Sequence, residues 1–158
     1  RGKVLENGMP RFFRRLAEGI FYEEDLIRRT NELADFVPAA QEQHGLADRK
    51  VVAVGYSNGA NIAASMLLLR PEILDGAVLF RAMVPLHPVK LPELTARPVL
   101  MLSGRSDPII SPQNAEELAA MLAKAGADVE LRWNEGGHQL SSPEIADAQK
   151  WISRHFSP

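Results

Sequence analysis

The stretch VVAVGYSNGAN, Val51 to Asn61, decides how this chain is read. It opens as a β-branched apolar run and continues as a helix-like segment, with Gly55, Ser57 and Gly59 at the junction. A serine in G-x-S-x-G between a strand and a helix sits on a sharp turn, a nucleophile elbow, that exposes its hydroxyl. Such a turn strains the serine's backbone and brings strand and helix close together, so the flanking positions must be small. Ala60, Ala63 and Ala64 extend that small-residue surface along the helix. The plain alternative is a glycine-rich turn with an incidental serine, because the bare pattern is weak.

Working outward, KVVAVG (Lys50 to Gly55) is expected as a strand buried on both faces, since its apolar run is continuous. Asn58 to Arg70 follows as a helix that Pro71 closes. The alternation then repeats. GAVLF (Gly76 to Phe80), RPVLMLSG (Arg97 to Gly104) and ADVELRW (Ala127 to Trp133) read as strands, and Pro112 to Ala125 and Pro143 to Phe156 as helices. Both late helices begin with Ser-Pro, an N-cap followed by proline at the first helical position. Upstream, apolar residues at Leu26, Ile27, Leu33, Phe36, Val37 and Ala40 predict a helix over Glu24 to His44, stopped by Gly45 and kinked or divided by Pro38. Residues 1–22 read as a loop punctuated by Gly2, Gly8 and Pro10, with a short helix in PRFFRRLAEG before Gly19. Strands alternating with helices imply an α/β fold, a mostly parallel sheet with helices on both faces, in one domain spanning residues 1–158.

Composition narrows the chemistry. With 46% hydrophobic and 24% charged residues among 158, the chain has the balance of an ordinary soluble domain. A net charge of -2 leaves no basic field for nucleic acid. There is no cysteine, which excludes disulfides, thiolate metal sites and a cysteine nucleophile, and four scattered histidines supply no zinc site. No run approaches the apolar length of a membrane span and nothing resembles a secretory signal, so a cytoplasmic address is the default. No cofactor is implied, a small-molecule substrate is the expected partner, and a homodimer is left open.

In a parallel sheet, ligands gather beyond the carboxyl ends of the strands. Tyr56 to Asn58, Arg81 to Pro85, Arg105 to Asp107 and Asn134 to His138 should therefore share one edge. A serine hydroxyl needs a base, and the base an orienting carboxylate. His44 and His155 read as ordinary residues at helix ends. His138, after Gly136-Gly137, follows the last strand and is the candidate base, with His87 in the proline-rich loop as its rival. Asp107 is the aspartate that lies beyond a strand's carboxyl end, and Ser111 fills the helix-cap role that would otherwise explain it. The order Ser57, Asp107, His138 is that of the α/β-hydrolases.

GYSNGAN, GRSDPIISPQNAEEL and NEGGHQLSSPEIADAQKWI together resemble the α/β-hydrolases of the phospholipase/carboxylesterase group, which includes the acyl-protein thioesterases. SNGAN after the tyrosine, with FRAMVP, is most similar to bacterial carboxylesterases of the hydroquinone-resistance type. Dienelactone hydrolases are cousins that use cysteine as the nucleophile. The resemblance runs from about Tyr22 onward. It implies Ser57 as nucleophile, His138 as general base and then acid, Asp107 as its orienting partner, and the Asn58 backbone N–H as one oxyanion donor. A second donor would come from a His-Gly-x-Gly-like loop after an early strand, and no such stretch occurs in this sequence. The family also places several strands ahead of the nucleophile strand, and residues 1–49 offer none, so the domain is expected to be N-terminally incomplete.

The expected reaction is cleavage of a carboxylic ester, with thioester or lysophospholipid variants, through an acyl-enzyme. Tyr56, Phe80, Met83, Val84, Pro85, Leu86, Ile109 and Ile110 are the candidate pocket, although an ordinary core explains several of them equally well. Arg81, after the second strand, could meet an anionic substrate but reads better as half of a surface ion pair. The contrasting expectation is a binding module or an inactive short form that retains the scaffold without catalysis. Haloperoxidase or lactonase chemistry on the same three residues is a narrower rival.

Overall fold

The computed structural model describes residues 2–17 and 19–157. Arg1, Pro158 and Glu18, the last inside the stretch expected to be helical, lie outside them. In place of a loop and short helix, the N-terminal segment folds as two small hairpins. One pairs β1 (Val4–Glu6) with β2 (Met9–Arg11), and the other pairs β3 (Arg15–Ala17) with β4 (Ile20–Phe21). Asn7 and Gly8 both have positive φ, 50° and 76°, which matches the right-handed twist of the flanking strands and is the usual way Asn-Gly closes a two-residue hairpin. That local turn chemistry outweighs the weak helical pattern around Phe12 and Phe13.

Helix α1 (Glu23–Gln43) runs without division through Pro38. Strand β5 (Val52–Tyr56) leads through Ser57 into helix α2 (Asn58–Leu69). Strands β6 (Gly76–Phe80) and β7 (Pro98–Gly104), helix α3 (Pro112–Lys124), strand β8 (Asp128–Asn134) and helix α4 (Ser142–Phe156) complete the order. The central sheet runs β5-β6-β7-β8, parallel throughout.

The period-2 alternation of the middle strands builds the core on both faces. Ala77, Leu79, Val99 and Met101 pack with Ala60, Ala64 and Leu67 of α2 and Leu118 and Leu122 of α3. Val78, Phe80, Leu100 and Leu102 face the other way, against Ala148 and Trp151 of α4. Trp151 is fully buried, and its indole N–H donates to Glu130 Oε1 across 2.7 Å, so its polar atom is satisfied.

Two sequence expectations shift here. Strand β5 lies at the end of the sheet, and Val54 is 58% exposed, so the strand is not buried on both faces. A continuous β-branched run reports strand propensity and is blind to whether a neighbour exists on each side. The N-cap of α4 is Ser141, one residue earlier than Ser142, because Glu144 reaches back to accept from the Ser141 N–H and hydroxyl at 3.0 and 2.7 Å. Ser111 caps α3 as expected, accepting from the Asn114 N–H at 3.2 Å. Among the described residues no helix is long and apolar enough to cross a membrane.

Candidate active site

Parallel register brings the four post-strand segments to one edge. Tyr56 pairs with Phe80 and Gly104 with Asn134, so Ser57, Arg81, Arg105 and Glu135 each begin the chain beyond the sheet. Ser57 has φ 52° and ψ -113°, a region that costs a non-glycine residue of order 1–3 kcal/mol. The surroundings hold it there: its N–H donates to the Phe80 carbonyl at 2.8 Å and its carbonyl accepts from the Asn61 N–H at 2.9 Å. A Cβ on Gly55 would collide with the Gly59 carbonyl, so the first glycine of the motif is required by space.

The strained turn aims Ser57 Oγ at His138 Nε2, 3.0 Å away. On the other side of the ring, Nδ1 lies 2.8 Å from Asp107 Oδ2. A carboxylate only accepts, so Nδ1 carries the proton and Nε2 is left as an acceptor for the serine hydroxyl. The Asp107 side chain is 1% exposed and its other oxygen accepts from the Ile109 and Ile110 N–H groups at 2.8 and 3.2 Å, which locks its rotamer. His138 itself is only partly buried. Asn58 stands at the first position of α2, where the helix leaves backbone N–H groups without intrahelical partners and its dipole favours negative charge.

His87, the rival base, lies elsewhere. It is largely exposed and sits 3.7 Å from Glu117. His155 Nδ1 donates locally to the Trp151 carbonyl, 2.9 Å away, and His44 caps α1.

The candidate pocket residues divide. Met83, Ile109 and Ile110 line a cleft with Ser57, Asn58 and Asn61. Phe80 packs in the core against Trp151, because its side chain falls on the α4 face of the sheet. Leu86 packs with Phe13, Leu26 and Ile62 behind the site. Val84 packs against the main core and Pro85 is buried beside it. Tyr56 faces the β5 edge, although its hydroxyl donates to the His138 carbonyl at 3.1 Å.

The sequence reading missed the rest of the cleft. Arg11, Arg15, Gly19 and Phe21 of the two hairpins form its far wall. Arg11 and Arg15 both pair with Glu6, whose carboxyl is held below its ordinary range by Arg15 first and Arg11 second. Three asparagine side chains fasten the loops: Asn58, Asn61 and Asn114 accept from the N–H groups of Phe12, Met83 and Val84 at 2.7, 2.9 and 2.8 Å. Arg81, expected on the surface, is 1% exposed and pairs with Glu144, itself buried at 5% exposure.

A parallel sheet covered on both faces by helices, with a serine on a strained turn between strand and helix, is the architecture of an α/β-hydrolase. The model for the dienelactone hydrolase family matches residues 13–149. The hydrolase MhqD of Bacillus subtilis (strain 168) is 48% identical over 151 residues, covering 96% of this chain and 76% of that protein. The Bacillus cereus carboxylesterase structure superposes with a TM-score of 0.94 at 49% identity, over 98% of this chain and 73% of that one. A carboxylesterase from Mesorhizobium loti gives a TM-score of 0.91 at 30% identity, over 100% and 74%. The chain belongs to the dienelactone hydrolase family. It is a hydrolase by that membership.

Proposed function

We propose that the chain cleaves carboxylic esters through an acyl-enzyme on Ser57, with His138 as the proton carrier and Asp107 as its anchor. The observation that carries this reading is the continuous relay from Ser57 Oγ to His138 Nε2 at 3.0 Å and from His138 Nδ1 to Asp107 at 2.8 Å. Ser57 Oγ attacks the ester carbonyl carbon as its proton passes to Nε2. The carbonyl oxygen gains the negative charge and meets the Asn58 N–H and the positive end of α2, a kind of donor whose loss costs on the order of 10²- to 10³-fold in rate. The imidazolium, steadied by Asp107, returns the proton to the departing alkoxide. Water, deprotonated by the same nitrogen, then releases the acid and restores Ser57.

The carboxylesterase names of the Bacillus cereus and Mesorhizobium loti proteins support esters as the substrate class. Met83, Ile109 and Ile110 favour a small or medium apolar acyl or aromatic group, and thioesters belong to the same chemistry. The test is turnover of nitrophenyl esters by the full-length protein and by Ser57→Ala. Loss of essentially all turnover in the variant is expected. Unchanged turnover, or none in either protein, would contradict the reading, and the latter would favour a binding module on the same scaffold.

A further inference from the structure

Arg81 stands directly after β6 with φ 54°, a left-handed conformation that a long side chain adopts only when its surroundings demand it. What they demand is visible in its hydrogen bonds. Nε donates to the Gly137 carbonyl at 2.9 Å. Nη1 donates to the Leu102 carbonyl at 3.0 Å and to Glu144 Oε1 at 2.6 Å. Nη2 donates to the Gln139 carbonyl at 2.8 Å and to Glu144 Oε2 at 3.0 Å. A guanidinium has five N–H donors, and all five are used. Two of the accepting carbonyls flank His138, and the carbonyl of His138 itself is held by Tyr56. Three successive backbone oxygens, 137 to 139, are thus tied to side chains from the ends of β5 and β6. Glu144 is the counterweight: it also accepts from Asn134 Nδ2 and from Ser141, which fixes both flanks of the segment.

Stability alone is a poor explanation for such an arrangement. Burying an ion pair commonly costs as much desolvation as its attraction returns, and apolar replacements of similar volume are often neutral or better. Geometry is the gain that apolar side chains cannot supply. We propose that the Arg81–Glu144 pair is a positioning device that sets the His138 backbone so that its imidazole spans Asp107 and Ser57. This rests on the esterase reading for its kinetic consequence. Lysine could not replace the arginine, because a point-like ammonium cannot serve the Gly137 and Gln139 carbonyls and Glu144 together.

The test compares wild type, Arg81→Lys and the double variant Arg81→Met with Glu144→Met, in which no charge is left buried and unpaired. Each is assayed where circular dichroism shows it folded. The expected result is a fall in kcat on the order of 10²-fold with KM little changed, in both variants. The downfield proton resonance that the 2.8 Å contact to Asp107 predicts for His138 Nδ1–H in wild type should weaken or vanish in both. Wild-type kcat and an intact resonance in a folded variant would overturn the proposal, as would unfolding of both variants, which would make the pair a stability element only. If wild type itself shows no Ser57-dependent turnover, the esterase reading fails, while the resonance still decides the positioning role.

Discussion

The phenol of Tyr56 donates a hydrogen bond across 3.1 Å to the carbonyl oxygen of His138, 82 residues later in the chain. The residue before Ser57 thereby touches the backbone of the residue proposed to take the Ser57 proton. Tyr56 is 40% exposed, so water competes for the same partner, and a neutral bond of this kind is worth about 0.5–1.5 kcal/mol. Tyr56→Phe is expected to lower kcat by no more than about tenfold, with KM unchanged, in steady-state ester hydrolysis. A loss on the order of a hundredfold would mean that the phenol touches the substrate.

Asp107→Asn keeps size and shape but offers an amide where the imidazole N–H needs an acceptor. The ring then favours the tautomer that cannot take the Ser57 proton. A loss in kcat on the order of 10⁴-fold is expected, with thermal stability nearly unchanged because Oδ1 can still accept from Ile109 and Ile110. Retention of more than about a tenth of the activity would remove Asp107 from the mechanism.

Gly104 ends β7 where the loop carrying His138 crosses it. A Cβ there would collide with the Gly136 and Gly137 carbonyl oxygens. Gly104→Ala should therefore displace the loop and cost about 1–3 kcal/mol in denaturant unfolding, with a larger proportional loss in kcat than in stability. Equal stability and full activity would contradict the close approach.

Acid should act through Glu144. Burial pushes its carboxyl up, but hydrogen bonds from Arg81 and Ser141 outweigh burial, and the group lies below its ordinary value of 4.5. A carboxyl lowered in the folded state contributes stability that is present above about 4.5 and lost as pH falls through the lowered value. The Tm difference between wild type and Glu144→Gln should be constant from about pH 7 to about pH 5 and should shrink below 4.5. A difference that stays constant below pH 4.5 as well would show that the pair does not titrate with folding.

The parallel sheet and its helices were legible because β5, β6 and β7 are short, mostly apolar runs, β8 alternates apolar with polar residues, and each late helix carries a Ser-Pro start. Ser57, Asp107 and His138 were legible for the same reason: each stands just past a strand, and parallel strands send those positions to one edge. Arg81 was misread because a charged residue following GAVLF looks like the point where the chain meets water. Only the tertiary fold supplies its five acceptors. The pocket was read by proximity to strand ends, which does not say which face a side chain takes, and Phe80 went to the α4 face. The hairpins were the avoidable miss, since Asn7-Gly8 is a local turn signal that needed no tertiary information.

The most direct test of Ser57 as the nucleophile is mass spectrometry of the full-length protein after reaction with a fluorophosphonate. The account predicts one phosphonyl group per chain, located on Ser57 in the peptide map and absent after His138→Ala. A label on another residue, or unmodified Ser57 in a protein that still hydrolyses esters, would contradict it.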